Sequence, residues 1–600
     1  MLQLAARRPL WLRPIRATLA LGAALGLAVV PMVPAARAAS ASTPSRAKVL
    51  RIALNGYENN ITPFTITFGA GPNTTDLVHL IYDSLFWSQS DANPRPWLAL
   101  SATPSDNFRV WTIKLRPGVK WQDGVPLTVQ DVKFSFDYYV AHFPVGARFS
   151  HHVAGFPLLQ SAEVVDPSTV RVSFQQPAPN FETMPGADLP ILPEHIWKDV
   201  PDPAKTGTRL FIGSGPYRLV KIVPDQLYVL KANPLYFQGK PLVGEIDLPI
   251  VTDPNASFEA LRTGQVDYVT RNLPPELINQ FKQISGIQEL QGTRLLSTQM
   301  YFNARRAPWS DPMVRKAISL ATNDQALVGK VLLGHGKPGN DGFLSPKSPW
   351  VMPKAGHEYN PAGGRQMLDA AGYRVGPDGV RANPAGQRLE LHVLVSSLAP
   401  MDIRATQLMA QQVAGIGVKV DVESTDPVTI TQLTRAHNFD AEIAELETHV
   451  EADPNGLWWI LHTPGKAGQG FSQTGWSNSQ FDALSEKVLA EPGNQAKPLL
   501  DQMQRIVASQ APVIAFYYPQ EVYAYRSSAY AGWVSDFGNG LFNPLSFIPH
   551  SGKAGTASVS SSGGTNPAVI IAPVVVVLAL ITGAVFLSRR RHTGAEEDDA

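Results

Sequence analysis

Few residues of this 600-residue chain stand where chemistry could be done, and their spacing argues against most reactions. Glu194 and His195 adjoin, but adjacent side chains diverge and no His-Glu-x-x-His follows, so His195 reads as structural. His437, His449 and His462 keep no metal-ligand spacing, and no cysteine is present to complete a site. Gly213 and Gly215 lack the Gly-x4-Gly-Lys or strand–Gly-x-Gly-x-x-Gly–helix context that cradles a phosphate. There is no Gly-x-Ser-x-Gly elbow, and no Ser-x-x-Lys accompanied by further penicillin-binding motifs. The absence of cysteine also excludes disulfides and thiol nucleophiles. No catalytic residue, cofactor or metal site is assigned.

Composition narrows the function classes. Lys+Arg 51 against Asp+Glu 50 leaves a net charge of +1, so there is no electrostatic case for nucleic acid. With 44% hydrophobic and 17% charged residues the chain is globular, with material for large cores.

The elements that must position a site are most sharply specified between Trp111 and Tyr139. Val110 to Leu115 alternates, with Trp111, Ile113 and Leu115 on one face, and predicts a half-buried strand. Pro117-Gly118 and Asp123-Gly124 predict turns. Thr128 with Asp131 three residues on predicts a capping box, and Leu127 with Val132 a hydrophobic staple, for a helix running through Val140. Further on, Tyr217 to Val223 and Leu227 to Ala232 predict a hairpin about Pro224-Asp225-Gln226. Asp311-Pro312 predicts an N-cap followed by proline at the first helical position. Gly264 predicts a left-handed cap closing a helix that starts near Asn255.

The ends predict export and tethering. Residues 1–39 read as a secretory signal, with Arg7, Arg8, Arg13 and Arg16, an apolar core and the cleavage motif Ala36-Arg37-Ala38. Both a general secretory and a twin-arginine route fit. Residues 568–587 carry no charge over 20 residues, enough to cross a bilayer, and Arg589, Arg590 and Arg591 follow. By the positive-inside rule the body lies outside and the tail 588–600 inside, joined through a flexible Ser/Gly-rich linker over 551–566.

Several blocks in fixed order resemble the family 5 extracellular solute-binding proteins, the oligopeptide-, dipeptide- and nickel-binding components of ABC importers. They are WTIKLRPGVKWQDGVPLTVQDV from Trp111, GSGPY from Gly213 with ANPLYFQGKP from Ala232, and MYFNARRAPWSDPMVRKAIS from Met300. YDSLF ending at Phe86, LPEHIW ending at Trp197 and AAGY ending at Tyr373 are weaker members of the set. The resemblance spans roughly 48–550. It implies a two-lobed α/β fold of the periplasmic-binding-protein type (type II, cluster C) with an extra subdomain.

Its implied layout is lobe I over 48–90, 209–298 and 516–550, the subdomain over 91–208, and lobe II over 299–515, with lobe crossings near 210, 300 and 515. Arg305 and Arg306 are implied to be scaffold. The resemblance further implies a monomer that passes a peptide or other small solute to permease subunits and their ATPase. Sugars and nickel are the alternative ligands, and a surface sensor or an extracellular hydrolase the alternative roles.

The implied ligand cleft is bordered by the loop from Asn55 to Asn73, with Asn55 and Tyr57 as candidates. A plain solvated loop is the other reading. The second border precedes Asp453-Pro454, where dipeptide-binding relatives place an acidic residue. Here that slot falls near His449 or Val450, flanked by Glu447 and Glu451, and the position of those relatives' carboxylate-binding arginine is Ser396. Glu447, His449, Glu451, Asp453 and Trp458 are the candidates on this side. A solvated acidic loop is again the alternative.

Overall fold

The computed structural model describes residues 49–58, 61–64, 73–88, 94–142, 159–203, 212–292, 295–446, 456–463, 474–536 and 540–549. The expected signal at 1–39, linker at 551–566, membrane helix at 568–587 and tail at 588–600 lie outside them. No helix among the described residues is long and apolar enough to cross a membrane.

The Trp111–Tyr139 stretch folds as its local signals dictate. Strand Val110–Leu115 buries Trp111, Ile113 and Leu115. It lies between Ala99–Ser105 and Thr169–Phe174, and Leu159–Asp166 completes an antiparallel sheet of four strands. Helix Val129–Ala141 opens on the capping box: the Asp131 carboxylate accepts the Thr128 N–H at 2.7 Å. His195 spends its Nε2 on Asp123 of the Asp-Gly turn, 2.8 Å away, which is a structural use.

The sequence blocks serve one another. Gln122 is buried, and its amide donates to the carbonyls of Ile81, Gly215 and Tyr217 and accepts the Gly213 N–H. A Cβ at Gly213 would sit 2.0 Å from the Ile81 carbonyl oxygen, and one at Gly215 would be 2.6 Å from the Leu80 oxygen. These glycines let two backbones touch; they do not shape a phosphate loop. Next to them the Asp83 carboxylate accepts from Trp97 Nε1 at 2.7 Å and Tyr236 OH at 3.1 Å. Burial pushes its carboxyl up to about 6. The specified positions are thus spent where chain segments cross.

Two larger sheets carry the rest. The first has seven strands in the order Ile287–Gln291, Val522–Arg526, Tyr268–Val269, Val49–Ala53, Glu245–Pro249, Leu227–Ala232 and Tyr217–Val223. The second has six, ordered Gly336–Pro338, Val513–Pro519, Ser297–Phe302, Ala441–Leu446, Glu390–Ser396 and Lys419–Thr425. Each has its own apolar core: Leu50, Ile52 and Leu248 belong to the first, and Met300, Val393 and Phe516 to the second.

The chain passes from the first sheet to the second between Gln291 and Ser297 and returns between Pro519 and Val522. Between Phe174 and Tyr217 it passes from the four-stranded sheet to the seven-stranded one, so this passage, expected as a lobe crossing, joins the subdomain to the first sheet. The two crossings touch, since Gln291 pairs with Val522 and the Gly292 N–H donates to the Glu521 carbonyl at 3.1 Å.

Candidate ligand-binding cleft

The register of the strands shows which ends face the crossings. In the second sheet Ser297, the first residue after a crossing, pairs with Leu446, the last of its strand. Ala441–Leu446 runs parallel to Glu390–Ser396, which runs parallel to Lys419–Thr425, so the carboxyl ends of all three lie on the crossing side. In the first sheet Val522 leaves a crossing and its strand runs antiparallel to Tyr268–Val269. Val49–Ala53 is parallel to Tyr268–Val269 and to Glu245–Pro249, so these three also end on the crossing side. Carboxyl ends of parallel strands form the ligand crevices of α/β folds. Here two sets of them face each other.

One contact spans the facing ends. Helix Pro275–Phe281 follows Tyr268–Val269, and helix Pro400–Ala414 follows Glu390–Ser396. Glu276 on the first meets Arg404 on the second at 2.9 Å. Their cores differ, since Ile278 and Phe281 pack with Ala53 and Val522, and Ala405 and Met409 with Val393.

On the first wall, Asn55 follows the strand Val49–Ala53, and its Oδ1 accepts from Asn73 Nδ2 at 2.8 Å. That bond closes the base of the loop. Tyr57 is 47% exposed and stands available for contact. Glu58 is buried and locks the same base, accepting from the Asn73 N–H at 2.8 Å and from the Thr74 hydroxyl. Burial raises its carboxyl above the usual range despite these bonds.

Arg271 stands beside Asn55. Its Nη2 donates to the Thr252 carbonyl at 2.9 Å and the Asn55 carbonyl at 3.3 Å, so it bridges the ends of three parallel strands. Sequence reading passed over Arg271 because it sits in a short link, Thr270 to Pro274, with no motif of its own. The available signal was a charged residue directly after an apolar strand and before Pro274-Pro275.

On the second wall Thr298 Oγ1 and Tyr517 OH both donate to Asp402 Oδ1, at 3.3 and 3.0 Å. Burial pushes the Asp402 carboxyl up to about 6. Of the residues expected here, Glu447, His449, Glu451 and Asp453 lie outside the described residues. Trp458 falls on helix Gly456–Leu461. The structure thus brings Asn55 together with Arg271, a residue the sequence did not single out. No group of His, Asp or Glu among the described residues is arranged to hold a metal.

The model of the bacterial extracellular solute-binding proteins, family 5 Middle, matches residues 93–468, more than half the chain. The chain belongs to family 5 of these solute-binding proteins. A Brucella ovis protein, provisionally named an ABC transporter peptide-binding protein, is 28% identical over 432 residues, 70% of this chain and 76% of its own length. The oligopeptide-binding protein AppA of Bacillus subtilis is 23% identical over 471 residues, 76% of this chain and 84% of its own. The AppA structure with a nonapeptide superposes with a TM-score of 0.72, covering 85% of this chain and 100% of AppA at 21% identity. NikZ of Campylobacter jejuni with Ni(L-His) gives 0.71, covering 84% and 100% at 20% identity. The family 5 chain therefore shares one fold with proteins solved around quite different ligands, so its fold does not choose the solute.

Proposed function

We propose that this family 5 chain is the extracytoplasmic receptor of an ABC importer, which captures a peptide by closing two α/β lobes and delivers it to a permease. The observation that carries the reading is the opposition of two sets of parallel-strand ends across a double crossing, bridged by Glu276 and Arg404. Two touching crossings make a hinge of few residues, and closure about a hinge buries a solute. The peptide class is supported by the Brucella and Bacillus relatives. Lobe I comprises 48–90, 209–291 and 522–550, with the subdomain 91–208, and lobe II comprises 297–519; strand membership moves the bounds expected at 298/299 and 515/516 by a few residues.

Asn55 and Tyr57 contact the solute from lobe I, and Glu447, His449, Glu451, Asp453 and Trp458 from lobe II. The receptor works as a monomer and does not transform its ligand. Residues 1–39 export it, and the apolar stretch 568–587 followed by Arg589, Arg590 and Arg591 holds it at the outer face of the membrane. Native mass spectrometry of the full chain, taken from its host's membranes in mild detergent, tests the reading. A released peptide is expected. A released sugar or metal chelate overturns the peptide class and leaves the transport role standing. Hydrolysis of fluorogenic peptides or glycosides overturns the role itself.

A further inference from the structure

Arg271 is set in the wall of the candidate cleft with no carboxylate among the described residues hydrogen-bonded to it. Its two hydrogen bonds both leave from Nη2, to the carbonyls of Asn55 and Thr252. Nε is buried with no acceptor, and no partner of Nη1 occurs among the described residues. An arginine carries five N–H donors, so three here are unused. The carboxylate whose charge acts on it, Asp253, accepts from the Ala256 N–H at 2.7 Å and caps helix Pro254–Thr263. Leaving a buried donor unpaired costs about 1–3 kcal/mol. The unfilled donors of Arg271 stand at the carboxyl end of a strand that borders the candidate cleft.

We propose that Arg271 is a specificity-determining residue that receives a carboxylate of the solute. The inference rests on the peptide-receptor reading and narrows it to peptides that present a carboxylate. A guanidinium offers charge-assisted bonds that a neutral amide end cannot match. The carboxylate can be the peptide's own terminus or an acidic side chain, and both present the same chemistry to Arg271.

The test uses the full chain in detergent and three defined pentapeptide libraries: neutral side chains with a free carboxyl end, the same peptides amidated, and amidated peptides with one glutamate. Titration calorimetry on wild type, Arg271→Gln and Arg271→Lys gives ratios of affinity. These ratios cancel any general loosening from the lost Asn55 and Thr252 bonds.

Wild type is expected to bind one carboxylate-bearing library at least about 10-fold more tightly than the plain amides. That preference collapses toward unity in Arg271→Gln and survives in part in Arg271→Lys. Preference for the free acids names the terminus, and preference for the glutamate amides names a side chain. Equal binding of all three libraries by wild type, or an undiminished preference in Arg271→Gln, overturns the assignment and leaves the peptide receptor standing. Failure of every library to bind wild type overturns both.

Discussion

The Glu276–Arg404 pair permits a quantitative test of lobe closure. It joins the helices that follow Tyr268–Val269 and Glu390–Ser396 at 2.9 Å, with its side chains 42% and 50% exposed. An exposed pair of this kind contributes about 0.2–1 kcal/mol, since water and salt screen it. If it forms only when the cleft is shut, its loss lowers the closed-to-open ratio by that energy, a factor of about 1.4 to 5. Arg404→Gln and Glu276→Gln should each weaken solute binding within that range, and the double variant should weaken it no further. The charge swap Glu276→Arg with Arg404→Glu should recover most of the loss.

The chain's lack of cysteine lets the proposed closure be read directly. Leu235 and Val428, 44% and 60% exposed and following strands of the two different sheets, can be changed to cysteine and labelled for energy transfer. The single variants should shift the ligand-free population toward low transfer, and the shift should shrink as salt rises. The reasoning fails if the two single effects add, if the swap recovers nothing, or if transfer stays constant while affinity falls.

Three further outcomes follow from buried polar groups. Glu442 is 3% exposed, its Oε1 has no partner, and burial pushes its carboxyl up to about 8. The folded state holds a proton that the unfolded state releases above 4.5, so this group costs stability as pH rises from 4.5 to about 8. Glu442→Gln should leave melting unchanged at pH 4.5 and stabilise by about 2–3 kcal/mol at pH 7; equal effects at both pH values would count against it.

His357 is buried between Asp341 at 2.7 Å and the Thr322 carbonyl at 2.9 Å. Burial opposes its charge, but the Asp341 bond and charge outweigh burial and raise its pKa above 6.5. Its contribution is full below 6.5 and is lost as pH climbs through the folded value. His357→Gln should therefore cost about 3 kcal/mol near pH 5 and progressively less in alkaline buffer, as read by denaturant titration. Gln122→Ala strips partners from the Ile81, Gly215 and Tyr217 carbonyls and the Gly213 N–H. It should cost about 3–5 kcal/mol without altering the ligand preference of refolded protein.

Legibility in the sequence followed the range of the interaction. Thr128 and Asp131 were readable because a capping box is written within four residues, and the alternation of Val110 to Leu115 because one sheet face is buried. Gly213 and Gly215 were visible as a pattern but not as a reason, since the reason is the Ile81 carbonyl, more than a hundred residues earlier. The cleft was least legible. Asn55 and Tyr57 could be placed on a loop bordering it, yet what meets Asn55 is Arg271, 216 residues on in the chain. Nothing near Arg271 marks it, because its meaning comes from strand register: Tyr268–Val269 must pair beside Val49–Ala53 before the guanidinium can bridge their ends.

The same holds for Arg404, which gains a role only when two separate cores bring it to Glu276. Scaffold positions answer to neighbours in a fixed fold and so recur as motifs. A residue that selects the solute answers to the solute, and in this chain it stands among residues that carry no motif at all.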